Sequence, residues 1–214
     1  MNAQTGIGAA EIFTIFFVTL GPLKILGPWM QRTSGLEEGA VRKIAVRAFV
    51  VALIAVIAGS ALGRFLAANW HISTASLAIA AGIIFFLVAL KQLLQAYEPP
   101  HAPVAPPPLN PAPLHAALQV LFPIVLTPYG IAAVIVLLAS NREPERIGLI
   151  VGILVVVMVL NLLAMLYARR IMVGLTIIVL QIVGAVLGVL QAGLAIEFIV
   201  FGLRGFGALA PGPP

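Results

Sequence analysis

Six apolar runs of membrane-crossing length constrain this chain more than anything else in it. A helix needs about 20 predominantly apolar residues to cross about 30 Å of hydrocarbon. The runs Ala9 to Gln31, Val41 to Ala67, Ile72 to Leu94, Leu114 to Ser140, Ile147 to Ala168 and Leu175 to Leu203 all reach that length. Of 214 residues, 62% are hydrophobic and only 9% charged, whereas a soluble domain carries about 25% charged residues. Water cannot be the main solvent. The sequence therefore predicts an all-α integral membrane protein, one membrane domain over 1–214, with the lipid bilayer as its surroundings.

Between the third and fourth runs, eight of the sixteen residues from Glu98 to Pro113 are proline. Such a segment is expected to be an extended, semi-rigid linker over 98–113. It separates a three-helix half at 1–97 from another at 114–214. Three is an odd number, so two similar halves insert with opposite orientation, the inverted-repeat arrangement of secondary transporters. The first run reads Phe16-Phe17-Val18-Thr19-Leu20-Gly21-Pro22 and the fourth Phe122-Pro123-Ile124-Val125-Leu126-Thr127-Pro128. Phe, Leu and Pro align there at one constant offset.

The net charge of +5 does not point to nucleic acid, because the basic residues sit in short connections and form no stripe on a polar surface. They serve orientation instead. Arg32, Arg42, Lys43, Arg47, Lys91, Arg169 and Arg170 fall on one side, against Arg64, Arg142, Arg146 and Arg204 on the other. The richer side is expected in the cytoplasm, which leaves both termini outside an inner membrane. No basic residue precedes the first run and no small-residue cleavage site follows it, so it is expected to remain as a span.

Pro22 and Pro128 each remove a helical hydrogen bond and clash with the carbonyl four residues earlier. With Gly21 before Pro22, Gly130 after Pro128 and a second Gly27-Pro28 pair, the first and fourth helices are expected to break inside the membrane. Backbone exposed in this way is tolerated only where protein or a watery cavity satisfies it. Single breaks of this kind are often mere packed kinks. Two at matching depth, beside Thr19, Thr127 and Tyr129, point to a binding site in which N–H groups hold a carboxylate while carbonyls and hydroxyls hold an ammonium.

Lys24 is the costliest residue in the chain, since a cation at mid-bilayer costs about 2.5–3.5 kcal/mol on insertion scales. It either snorkels to the cytoplasmic headgroups, or faces the cavity and draws an anionic group, or pairs with a carboxylate such as Glu197. Glu11 and Glu197 are the only carboxylates inside the runs and are candidates for carrying a coupling proton, against the plainer reading that they sit at the interface. Ser60, Asn161, Thr176, Gln181 and Gln191 read as interhelical hydrogen-bonding residues. Gln181 is singled out among them because it precedes Gly184 in the segment that pairs with the third run.

Enzyme chemistry finds no foothold. His71, His101 and His115 fall in connections, no nucleophile elbow is present, and cysteine is absent, so no catalytic residues, metal site or cofactor are expected. The partners expected are a small-molecule solute, the bilayer and a possible homo-oligomer.

These residues resemble the MarC family of six-helix bacterial membrane proteins, also described as small neutral amino acid transporters and placed near the LysE exporters. The likeness is carried by Phe16 to Pro28, by Ile72-Ser73 leading to the stretch Ala80 to Leu90, by Pro123 to Gly130, and by Gly184 through Leu203. Where that family usually has Asp before the first proline, this chain has Gly21. Where it has Gly-Pro-Gly, the chain has Thr127-Pro128-Tyr129, and an Arg opening the sixth helix is here Gln181. The resemblance implies amino acid transport; with the two breaks, the leading expectation is alternating-access transport of a small polar solute such as a neutral amino acid, around Thr19, Gly21, Pro22, Lys24, Thr127, Pro128, Tyr129, Gly130 and Gln181. The alternatives are an exporter of amino acids or toxic small molecules, and a membrane scaffold that transports nothing.

Overall fold

Proline and glycine decide where the helices stop. The structure, a computed structural model, describes residues 8–97, 113–120, 125–141, 143–174 and 177–208. Among them the regular elements are α1 (Ala9–Leu20), α2 (Pro22–Thr33), α3 (Glu38–Asn69), α4 (Thr74–Tyr97), α5 (Pro113–Val120), α6 (Pro128–Ser140), α7 (Pro144–Gly174) and α8 (Ile177–Gly205). The linker assignment at 98–112, the aligned residues 121–124, and Arg142 and Thr176 lie outside the described residues.

Among the described residues, five stretches are long and apolar enough to cross a membrane: Ala9–Thr33, Glu38–Asn69, Thr74–Lys91, Pro144–Val173 and Ile182–Gly205. Pro128–Ser140 is a shorter apolar helix, preceded in the chain by α5. Both expected breaks are present. Gly21, extended at φ −74° and ψ 168°, separates α1 from α2, and Pro22 occupies the first turn of α2. Thr127, also extended, starts α6 with Pro128 in its first turn. Proline suits that place because the N–H it lacks has no intrahelical acceptor there. Pro28 lies inside α2, where its missing N–H leaves the Lys24 carbonyl without its usual donor.

Packing follows the rule for helices in lipid, where small residues let backbones approach. Along α3, Ala45, Ala48, Ala52, Val56 and Ser60 are fully buried, while Val50, Ile54, Leu62 and Phe65 stand outward. The broken first span is the most enclosed of the five. It buries Phe16, Leu20, Ile25, Leu26 and Trp29 against α6 and α7. On the other flank α4 and α8 pack closely along their length. Gly82 faces Ala195 O and Ile199, Gly202 faces Ala75 O and Ile79, and Gly188 faces Leu93. The α3–α4 connection turns at His71, whose φ of 54° places it in the left-handed region that ends many helices. The amides of His71 and Ile72 donate back to Ala68 and Ala67 at 3.2 and 2.9 Å.

Candidate functional site

The two breaks meet. Ending α1 at Leu20 strands the last carbonyls of that helix, and two side chains from other spans reach them. Thr127 Oγ1 donates to Thr19 O at 3.1 Å, and Asn161 Nδ2 of α7 donates to Leu20 O at 2.6 Å. Thr127 Oγ1 also accepts from Gly130 N at 3.2 Å, which caps α6. Gly130 has no room for a side chain, because a Cβ there would overlap Leu20.

One turn into α2, Lys24 turns inward. Its Nζ donates to Tyr129 Oη at 2.9 Å and to Gln191 Oε1 of α8, and it lies 4.7 Å from the centroid of the Tyr129 ring. Lys24 thus neither snorkels nor pairs with Glu197. Glu197 lies six residues beyond Gln191, about 9 Å along a helix rising 1.5 Å per residue. Among the described residues the one salt bridge joins Arg169 to Glu38 at 3.6 Å. The Lys24 cation is therefore held by neutral oxygens and a ring face.

Because an ammonium can only donate, the Gln191 atom it meets is the carbonyl oxygen, and the amide nitrogen points elsewhere. By the same logic the Asn161 atom at Leu20 O is nitrogen. Gln191 Nε2 and Asn161 Oδ1 are both buried without a hydrogen-bond partner among the described residues. One is a donor and the other an acceptor.

Cavities lie at both ends of this cluster. At one end a space of about 480 Å³ is lined by Glu11, Thr14, Ser140, Glu197 and Arg204 over Ile15, Leu137 and Phe198. Phe198 meets Phe85 edge-on at 5.5 Å, and Phe85 meets Tyr129 at 5.4 Å, so a file of touching rings runs from that space to the residue that holds Lys24. At the other end a space of about 500 Å³ is lined by Glu38, Arg42, Arg169 and Arg170, with Trp29 among its walls. Trp29 is fully buried, and its Nε1 donates to Met165 O at 3.0 Å.

The profile of the MarC family of integral membrane proteins matches residues 9–206, nearly the whole chain. The chain belongs to the MarC family. No curated protein and no solved structure shows significant similarity to it.

In this MarC protein the expected site residues divide by role. Lys24 and Tyr129 form the cluster with Gln191, while Asn161 serves the neighbouring break at Leu20; both amides bond between helices, as the sequence suggests, and neither is among the expected site residues. A signal was available: Asn161 is the only polar side chain between Arg146 and Tyr167, and Gln191 the only one between Gln181 and Glu197. Thr19 and Thr127 do not offer free hydroxyls, since Thr19 Oγ1 donates to Ile15 O at 2.7 Å and Thr127 is consumed by the cap. Gly21 and Pro22 shape the break, and Pro128 is exposed at the start of α6. Gln181 lies on α8, but its side chain is outside what is described. Glu11 and Glu197 line the outlying cavity, away from the cluster, where Glu11 Oε2 accepts from Gly8 N at 3.0 Å.

Thr127→Val is accordingly a stability variant. It uncaps α6 and leaves the buried Thr19 carbonyl unsatisfied, a loss of about 1–3 kcal/mol. Thermal unfolding in detergent should show a lower midpoint.

Proposed function

We propose that this MarC protein is a secondary transporter of the inner membrane that moves a small zwitterion, such as a neutral amino acid, through the Lys24 cluster by alternating access. The observation that carries this reading is a pair among the three buried side-chain atoms that have no hydrogen-bond partner among the described residues; the third, Ser60 Oγ, lines a separate cavity with Arg64. A buried donor at Gln191 and a buried acceptor at Asn161 each cost about 1–3 kcal/mol if left unmade, and natural proteins rarely leave such groups without a purpose. A solute carboxylate suits Gln191 Nε2, Lys24 Nζ and the first N–H groups of α2, which no side chain caps. Its ammonium suits Asn161 Oδ1. Aromatic side chains, Trp29 on one side and Phe85 and Phe198 on the other, fit a closed intermediate of such a cycle.

Two inverted three-helix repeats fit the packing. Exchanging α1 with α5, α2 with α6, α3 with α7 and α4 with α8 turns the α2–α7 contact into α6–α3, and α1–α7 into α5–α3, all of which occur. The gathering of Arg42, Arg169 and Arg170 around one cavity supports placing that end in the cytoplasm and both termini outside. Export instead of import uses the same site. The scaffold reading draws on one fact, that Thr127 and Asn161 already fill the Thr19 and Leu20 carbonyls.

Gln191→Glu separates transport from scaffold. It keeps an oxygen for Lys24 and the same volume, while replacing the orphaned donor by an acceptor that repels a carboxylate. In proteoliposomes, uptake of labelled L-alanine is expected to fall at least about tenfold, the effect of one charged hydrogen bond, with thermal stability held or raised. If no amino acid is taken up by the parent protein or raises its unfolding temperature, the transport reading fails.

A further inference from the structure

Glu197 and Arg204 line the same cavity of about 480 Å³, yet they form no salt bridge with each other or with any other described residue. Both are exposed and both lie on α8, two turns apart. Seven residues set them about 10 Å apart along the helix, beyond the spacing at which helical side chains pair directly, so each keeps its charge for a ligand that enters the cavity. Glu11 contributes a second carboxylate on the Glu197 side, already partly engaged by Gly8 N. Thr14 and Ser140 add hydroxyls, and Ile15, Val136, Leu137, Leu194 and Phe198 make an apolar floor. The volume lies within the range of about 300–1,000 Å³ typical of small-molecule sites, and an apolar lining with a few convergent polar groups is their usual character.

We infer that this cavity is a second solute site, an outer vestibule that binds a zwitterion bearing an apolar side chain: its ammonium on Glu197, its carboxylate on Arg204 and its side chain on the Leu137–Phe198 floor. As a waiting place ahead of the Lys24 cluster it rests on the transport reading, but its occupancy does not. Phe198 gives the vestibule a physical link to the cluster. A side chain pressing on that ring presses on Phe85, and through it on Tyr129, the residue that holds Lys24.

Three probes of one carbon skeleton test it on the full-length protein in nanodiscs by calorimetric titration: L-leucine, isoamylamine, which lacks the carboxylate, and 4-methylpentanoate, which lacks the amine. Leucine should bind the parent at least about tenfold more tightly than either analogue. Arg204→Gln should erase the preference over isoamylamine, and Glu197→Gln the preference over 4-methylpentanoate. Both replacements keep an unbranched polar side chain and lie at exposed positions, so the fold should tolerate them. Leucine affinity indifferent to both variants overturns the vestibule. If that affinity instead vanishes in Lys24→Met, leucine occupies the central cluster, and the vestibule proposal fails while the transport reading stands. If leucine binding follows Glu197 and Arg204 but parent vesicles accumulate nothing, the vestibule stands and the transport reading fails.

Discussion

Vesicles carrying Lys24→Met should take up solute about ten to a hundred times more slowly than those carrying the parent protein, while the variant unfolds at nearly the same temperature. The two halves of this expectation have separate causes. A charged hydrogen bond to a solute carboxylate is worth about 1.5–3 kcal/mol, and each 1.4 kcal/mol is about a factor of ten. Stability changes little because two terms offset. Removing a cation from the bilayer relieves about 2.5–3.5 kcal/mol on insertion scales. Against that, Gln191 Oε1 and Tyr129 Oη each lose a donor, at about 1–3 kcal/mol apiece. Methionine fills the vacated space with an unbranched apolar chain. Lys24→Arg is the informative control, because a planar fork does not reproduce a compact ammonium, and uptake should be impaired although the charge is kept. Undiminished uptake by Lys24→Met would place the solute path elsewhere.

The second large effect is on folding. Gly21→Ala should destabilise the protein by about 3 kcal/mol, at the upper end for overpacking. The cause is a close approach, since φ at Gly21 is −74°, a value any residue adopts. A Cβ added there would overlap the carbonyl oxygen of Phe17. That oxygen belongs to the backbone and cannot swing aside as a side chain would, so the break itself must deform. Gly193→Ala is the matching control: nothing lies within 4 Å of its added Cβ, and alanine is favoured over glycine in a helix by up to about 1 kcal/mol. Midpoints of thermal unfolding in one detergent should therefore fall for the first variant and hold or rise for the second. Equal midpoints would show that the α1–α2 break relaxes freely.

How far the sequence carried the fold can be judged at particular residues. Pro22 and Pro128 announced the breaks because a missing N–H acts locally, whatever the surroundings. Which groups fill a break is a long-range matter: Thr127 meets Thr19 across 108 positions and Asn161 meets Leu20 across 141, and no local pattern encodes such pairs. Residue type marks the hydroxyls of Thr19 and Thr127 as donors without showing where they are spent. Lys24 stands out by its cost, but its partners come from α6 and α8, so the local sequence does not decide between snorkelling and an inward-facing role. Gly21 is the subtlest position. The resemblance leads one to look for aspartate there, and its replacement by glycine reads as a lost charge, whereas the geometry makes it a steric requirement of this chain.

The α4–α8 pair has a mechanical consequence. Its glycines bring backbone against backbone, with an added Cβ coming within 2.7 Å of Ala195 O at Gly82 and 2.6 Å of Ala75 O at Gly202. Between helices in lipid, such close van der Waals contact replaces the hydrophobic force that water supplies elsewhere. A slide of one helix past its neighbour would drive Ile79, Leu93 or Ile199 into the opposing main chain, so the pair resists shear as a keyed joint does. Whatever moves in this protein must move around that joint, and the compliant part of the molecule is the interrupted span on the opposite flank, where α1 and α2 share one unwound residue.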